Sequence, residues 1–240
     1  TFQNRKSNST GRVGRESRDS KQSPRQGRKH MNSIKIWENS RIFAALTGLI
    51  RASANGKTGP MLQISILDKE DTPTQIIKQK KDHSVCGNCK LKRTICYLHP
   101  MYLNGIWRAV VDQLVSKLPK TLDAIRFGTY GNPSLIPLGL VKRIAAKARN
   151  WTGYTHEWDE CNVGYAKYFM ASIDPITAHS KGRTSIEDKA EANRMGYRTY
   201  RVIGSVKELL PDEIHCPHEE KQIQCIDCGL CSGASSKAKN

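Results

Sequence analysis

From Asn32 onward the chain alternates between two apolar periods, one near two residues and one near 3.6. Met61-Leu-Gln-Ile-Ser-Ile-Leu67 alternates directly after Gly59-Pro60, which predicts a strand. The polar, Lys-rich run 68–84 then reads as a loop. Over 104–118, apolar residues at Trp107, Val110, Val111, Leu114 and Leu118 predict a helix, stopped by Pro119. A short strand over 124–127 leads into the turn Gly128–Pro133, and a helix is predicted over about 135–149. Further strands are predicted at 151–156, 168–173 and 197–203. A helix over about 184–195 precedes the last of them and ends at Gly196, a residue suited to the left-handed cap of a helix.

Strand–helix–strand repetition with short connections predicts an α/β fold, either a partial (β/α) barrel or an open parallel sheet. The expected layout has four parts. Residues 1–31 form a disordered basic segment, and 32–205 form the α/β domain. Residues 206–233 form a Cys-rich C-terminal metal-binding segment, followed by a disordered tail at 234–240. Residues 1–30 carry Phe2 and Val13 as their larger apolar groups, too few to offset the entropy of ordering. They read either as a basic arm or as a leader preceding a product that starts at Met31.

Charge adds a class of partner. The formal charge of the 240 residues is +17, of which residues 1–30 contribute +7, so the remaining body is itself strongly basic. That balance suits an anionic partner such as nucleic acid or a nucleotide, or else a merely solvated surface. No apolar stretch approaches the roughly 20 residues of a membrane span, and residues 1–30 lack a secretory core. The expectation is a cytoplasmic protein with no membrane partner, its oligomeric state not readable from the sequence.

Cysteine placement supplies the candidate chemistry. Cys86-Gly-Asn-Cys89 is followed after six residues by Cys96. Cys216 is followed after eight residues by Cys225-Ile-Asp-Cys228-Gly-Leu-Cys231. Thiolates two residues apart can both face one soft cation, so both groups are expected to bind metal rather than form disulfides. Cys225-x2-Cys-x2-Cys with a distant fourth suits a four-iron cluster better than zinc. The first group has three Cys, which leaves either an open coordination position or a closed site completed by His83 or His99. In the second group His215 or His218 could replace a thiolate. Cys161 reads as an ordinary thiol. Asn55-Gly-Lys-Thr-Gly59 looks like the end of a phosphate-binding loop, but Arg51 stands where its first Gly belongs, so it reads as a turn.

In parallel α/β folds ligands bind at the carboxyl ends of the strands. The residues predicted there are Arg126, Gly128, Tyr130, Gly131 and Asn132 around the second turn, then Tyr154 and His156. Ser172 and Asp174 end the next strand, and Arg201 the last. Tyr154, His156 and Asp174 are the candidates for proton transfer, and the others for binding substrate or cofactor. The first Cys group follows a strand and precedes a helix, so it is expected at the same rim.

Several motifs together resemble an uncharacterised phage family named after mycobacteriophage "gene product 88". They are Ala45-Leu-Thr-Gly48, Lys57-Thr-Gly59, Cys86-Gly-Asn-Cys89 with Cys96-Tyr97, and Arg126-Phe-Gly-Thr-Tyr-Gly-Asn-Pro133. Trp151-Thr-Gly-Tyr-Thr-His156, Met170-Ala-Ser172 and Cys225-Ile-Asp-Cys228-Gly-Leu-Cys231 complete the series. The family pattern has Asp where this chain has Asn132. The resemblance implies kinship and a viral source without a reaction. The order of strand 61–67, Cys loop and helix is also similar, at the level of fold, to radical S-adenosylmethionine enzymes. That similarity implies a four-iron cluster on Cys86, Cys89 and Cys96 whose open iron binds the cofactor, with the turn at 128–133 facing it. The spacing departs from the usual Cys-x3-Cys-x2-Cys of those enzymes. The function expected is an iron–sulfur protein with one or two clusters, a radical enzyme acting on nucleic acid or nucleotides. The alternative is a non-enzymatic protein stapled by zinc that binds nucleic acid.

Overall fold

The computed structural model describes residues 31–92, 96, 98 and 100–234. The segment expected to be disordered at 1–30, most of the tail at 234–240, Tyr97 and His99 lie outside the described residues. The fold is mixed α/β, with a five-stranded mixed sheet and a three-stranded parallel sheet. Among the described residues the strands form no closed barrel, and in place of one parallel sheet there are two sheets, the larger of them carrying an antiparallel pair of strands at one edge.

Strand β1 (Ser33–Glu38) and strand β2 (Ile42–Thr47) form an antiparallel hairpin that the apolar pattern did not single out. Its turn is held by the Asn39 side chain, whose Oδ1 accepts from the Arg41 and Ile42 amides at 2.8 Å each. Strand β3 (Leu62–Asp68) pairs with β2 antiparallel and with β4 (Ile125–Tyr130) parallel; β4 pairs in parallel with β5 (Trp151–Thr152). Strands β6 (Tyr154–Thr155), β7 (Met170–Ile173) and β8 (Thr199–Arg201) form the second, parallel sheet. One stretch of chain thus serves both sheets, changing partners at Gly153. A Cβ there would lie 2.8 Å from Phe169 Cδ1 and 3.1 Å from Phe127 Cβ, so the seam is packed around a missing side chain.

From β3 to β8 the parallel strands lie in sequence order, so successive crossovers move in one direction. In β4 and β7 the odd-numbered residues face the helices. Ile125 and Phe127 join a core with Leu140, Val141 and Ile144 of helix α4 (Leu138–Ala145). Ala171 and Ile173 join Ala192 of helix α6 (Ser185–Arg194) and Trp158. Even-numbered residues face the opposite side, where a cavity opens.

The connection from β3 to β4 differs most from expectation. The run 68–84 contains helix α1 (Pro73–Lys78) and the start of α2 (His83–Cys86). Thr72 and Gln75 form a reciprocal capping box, with Pro73 in the first turn. Helix α3 spans Pro100–Val110 rather than 104–118. Beyond Val110 the chain runs beside β1: Lys35 Nζ donates to Val111 O at 2.9 Å, and the Ser116 amide donates to Lys35 O at 2.8 Å. Those bonds compete with continuation of the helix, and Leu114 is left 89% exposed. Helix α5 (Pro175–Ser180) follows β7, and the C-terminal segment carries the short helices α7 (Pro217–Lys221) and α8 (Cys225–Cys228). Ile226 of α8 packs with Met61 and Ala124, so this segment belongs to the same compact unit as the sheets. No helix among the described residues is long and apolar enough to cross a membrane.

Candidate functional site

A cavity of about 510 Å³ lies on the even-numbered face. Alternation along the strands delivers Arg126 and Gly128 from β4, Thr152, Tyr154 and His156 from the seam, and Ser172 from β7. Tyr130, Gly131 and Asn132 line it next to the Cys loop, the Asn132 amide donating to Val85 O at 2.7 Å, and Cys86, Cys89 and Cys96 line it as well. The fold therefore brings the first Cys group to the strand-end residues, as its place between β3 and α3 predicts.

Two of the anticipated residues stand elsewhere. Asp174 is the N-cap of α5, its Oδ1 accepting from the Thr177 amide at 2.7 Å, and it is not among the residues lining the cavity, although its charge acts on both His156 and Cys89. Arg201 lines a second cavity of about 290 Å³ and is committed to Glu213, donating through Nε at 2.7 Å, and to Glu208 O at 2.6 Å. Cys216, Cys225, Cys228 and Cys231 also line that second cavity. Cys225 belongs to both, so the two cavities meet at a wall made by Cys225, Thr152, Tyr200 and Val202.

The thiols of each group lie close enough to influence one another's charge. Burial pushes the Cys86 thiol up to about 12, and the neighbouring Cys89, Asp82 and Cys96 push the same way against Lys92. Burial also raises Cys89, opposed by the Leu91 and Lys92 amides that donate to its sulfur. Cys96 is exposed. In the second group burial pushes Cys231 up to about 11 despite a hydrogen bond donated by the Tyr154 hydroxyl. Binding a soft cation would release protons from such thiols, so affinity should rise with pH. Among the described residues no three His, Cys, Asp or Glu side chains meet about one point as a metal ion requires. Of the alternative ligands, the His83 ring contacts Gly87 O at 3.1 Å, and His215 Nδ1 lies 3.2 Å from the Glu220 carboxylate.

Tyr154 and His156 can be reached from the cavity although protein packs around most of each ring. Burial raises the Tyr154 phenol well above its ordinary range, so it is a neutral hydrogen-bond donor. Its ring lies against Tyr200, centroids 4.8 Å apart. Burial lowers His156 from its ordinary value near 6.5, while the Asp174 charge acts in the opposite direction. His156 Nδ1 and Asp174 Oδ2 are both buried with no hydrogen-bond partner among the described residues. An unsatisfied ring nitrogen beside a cavity is suited to exchanging a proton with a bound molecule.

The lowered His156 value has a testable sign. The unfolded chain takes up the proton more readily, so the stability associated with a neutral His156 is present above about pH 6.5 and is lost as pH falls to the lowered folded value. Denaturant melts of wild type and His156→Gln between about pH 5 and pH 8 should show a smaller loss on acidification in the variant. Equal pH slopes would exclude a buried, neutral His156.

Three residues on or beside the wall are not among the site residues the sequence predicts. Lys57 stands in the Asn55–Gly59 turn, and it reaches the larger cavity because the Cys225 amide donates to Lys57 O at 2.9 Å. Lys92 Nζ donates to Gly87 O at 2.8 Å and lines the same cavity. Glu157 bonds the Cys loop from the turn after β6. Only the tertiary pairing of distant segments reveals these three.

Comparison with protein-family models, with curated proteins and with solved structures finds no match to this chain.

Proposed function

We propose that this chain is an iron–sulfur protein and that its larger cavity is the active site of a radical enzyme acting on a nucleotide or nucleic-acid substrate. The observation that carries this reading is the meeting of Cys86, Cys89 and Cys96 with the polar ends of the parallel strands around one cavity. Three thiols from one loop suit a cluster with an open iron. Such a centre, with S-adenosylmethionine as its cofactor, would supply one-electron chemistry.

The chain's own residues have definable tasks in this reading. Arg126 and Lys92 give the wall positive charge for a carboxylate or phosphate, while Lys57 Nζ is paired with Glu219 at 2.7 Å. Tyr154 and Tyr200 offer ring faces for a base or adenine, and Ser172 a hydroxyl. His156, neutral because buried, accepts or returns a proton. The second Cys group would hold an auxiliary centre that also ties the C-terminal segment to β3 and β4 through Ile226.

Anaerobic purification of the full chain, with iron, zinc and sulfide analysis, tests the reading. Iron matched by sulfide, broad absorbance near roughly 400 nm, and a spectral change on adding S-adenosylmethionine are expected. A colourless protein holding zinc, with nucleic-acid affinity falling steeply with salt, would replace it by the zinc-stapled binder.

A further inference from the structure

The two residues between Cys86 and Cys89 are both engaged by one carboxylate from a distant part of the chain. Glu157 lies in the turn after β6, where its amide donates to Thr155 Oγ1 at 3.2 Å. Its Oε1 accepts the backbone N–H of Asn88 at 3.0 Å. Its Oε2 accepts Asn132 Nδ2 at 2.7 Å. Asn132 is 2% exposed and donates its own amide to Val85 O at 2.7 Å, so the same carboxylate ties the Cys loop to the turn after β4. Asn88 Nδ2 reaches Glu160 Oε2 at 3.0 Å, a second link between the two loops. Gly87, at φ +56°, leaves the space that the carboxylate fills: a Cβ there would sit 1.9 Å from Glu157 Oε1. Gly87 is thus explained by Glu157, whose carboxylate fills the place of a side chain, and the Asn88 side chain by Glu160, which accepts from it.

We propose that Glu157 is the positioning residue of the first Cys group. It holds the turn from Cys86 to Cys89 in one conformation, and its negative charge lowers the reduction potential of the centre held there. The second half of this inference rests on the iron–sulfur reading; the first does not. Two oxygens serve two different donors, and Gln would supply only one acceptor while turning an NH₂ toward the other donor. Outer-shell partners of this kind typically change metal affinity by about 10- to 100-fold, and cluster potentials follow local charge and hydrogen bonding.

The test compares full-length wild type, Glu157→Gln and Glu157→Asp, each before and after anaerobic reconstitution with iron and sulfide. In the metal-free chain, amide exchange across 83–92 should be about tenfold faster in Glu157→Gln, because the charge-assisted bond to Asn88 weakens. After reconstitution, that variant should bind iron about 10- to 100-fold more weakly at the first group, with a shifted EPR signal and a higher potential. Glu157→Asp retains both acceptor oxygens and the charge, so its potential should stay near wild type while affinity recovers in part. A simple packing role would not separate Gln from Asp in this way. Unchanged exchange in Glu157→Gln overturns the positioning role. Faster exchange with unchanged potential overturns the electrostatic role. Wild type without Cys86-dependent iron overturns the iron–sulfur reading, and the exchange arm then still decides whether Glu157 holds the loop.

Discussion

Cys86→Ser should lower iron bound at the first group by at least about tenfold while leaving a folded protein. A serine hydroxyl is a hard, mostly protonated donor in place of a soft thiolate, and the loss of a direct ligand should cost no less than the loss of an outer-shell partner. Cys86 is half-buried, so its replacement carries some cost in stability, of about 1 kcal/mol. Cys96→Ser provides the cleaner separation. Cys96 is exposed, so the change should alter stability by no more than about 0.5 kcal/mol yet still deplete iron. Iron and sulfide per chain, measured beside a thermal melt, check both variants. Wild-type iron content in Cys96→Ser would remove that residue from the ligand set, and in both variants it would remove the first group from the metal chemistry.

The largest expected loss of stability is at the seam between the sheets. Phe169 is fully buried, edge-to-face with Phe127 at 5.3 Å and stacked on Tyr165 at 5.8 Å. Its ring fills the space over Gly153, where one stretch of chain leaves one sheet and joins the other. Phe169→Ala should cost about 3–5 kcal/mol, from lost transfer energy and the cavity left behind. Part of this is the aromatic pairing, which adds about 0.5–1.5 kcal/mol beyond area. At roughly 2–4 °C per kcal/mol for a chain of this size, Tm should fall by about 10 °C. Phe169→Leu retains most of the apolar volume and should lose less than half as much. A Tm change below about 2 °C in the Ala variant would show that the seam does not depend on this ring.

The parts of the fold that were legible had a local cause. The alternation at Met61–Leu67 marks β3, because side-chain period acts over a few residues, whereas β4 runs on to Tyr130 through the first three residues of the expected Gly128–Pro133 turn. The β1–β2 hairpin was missed although Asn39 is a recognisable turn residue, because Ile34 and Ile36 alternate over too short a run to stand out. Helix α1 carried a readable capping box at Thr72 and Gln75, obscured by its Lys-rich surroundings. The over-long helix at 104–118 has a different cause. Its apolar spacing is genuine, but Lys35 and Gln113 supply long-range partners that no local window contains.

The candidate site divides the same way. Cys86, Cys89 and Cys96 announce themselves by residue type and spacing, as do Cys225, Cys228 and Cys231. Arg126, Tyr154, His156 and Ser172 follow from strand alternation once the strands are placed. The amino-acid sequence alone therefore determined the α/β class, the Cys groups and which strand ends would carry polar residues. Tertiary structure decided that Asp174 caps a helix, that Arg201 is taken up by Glu213, and that Cys225 stands on the wall between two cavities. It also placed Glu157 over Gly87 and Lys57 beside the thiols. Spacing along the chain controls only contacts within a turn or two. Hydrogen bonds between Glu157 and Asn88, or between Cys225 and Lys57, join segments separated by tens of residues or more, and only the packing of the whole core brings them within reach.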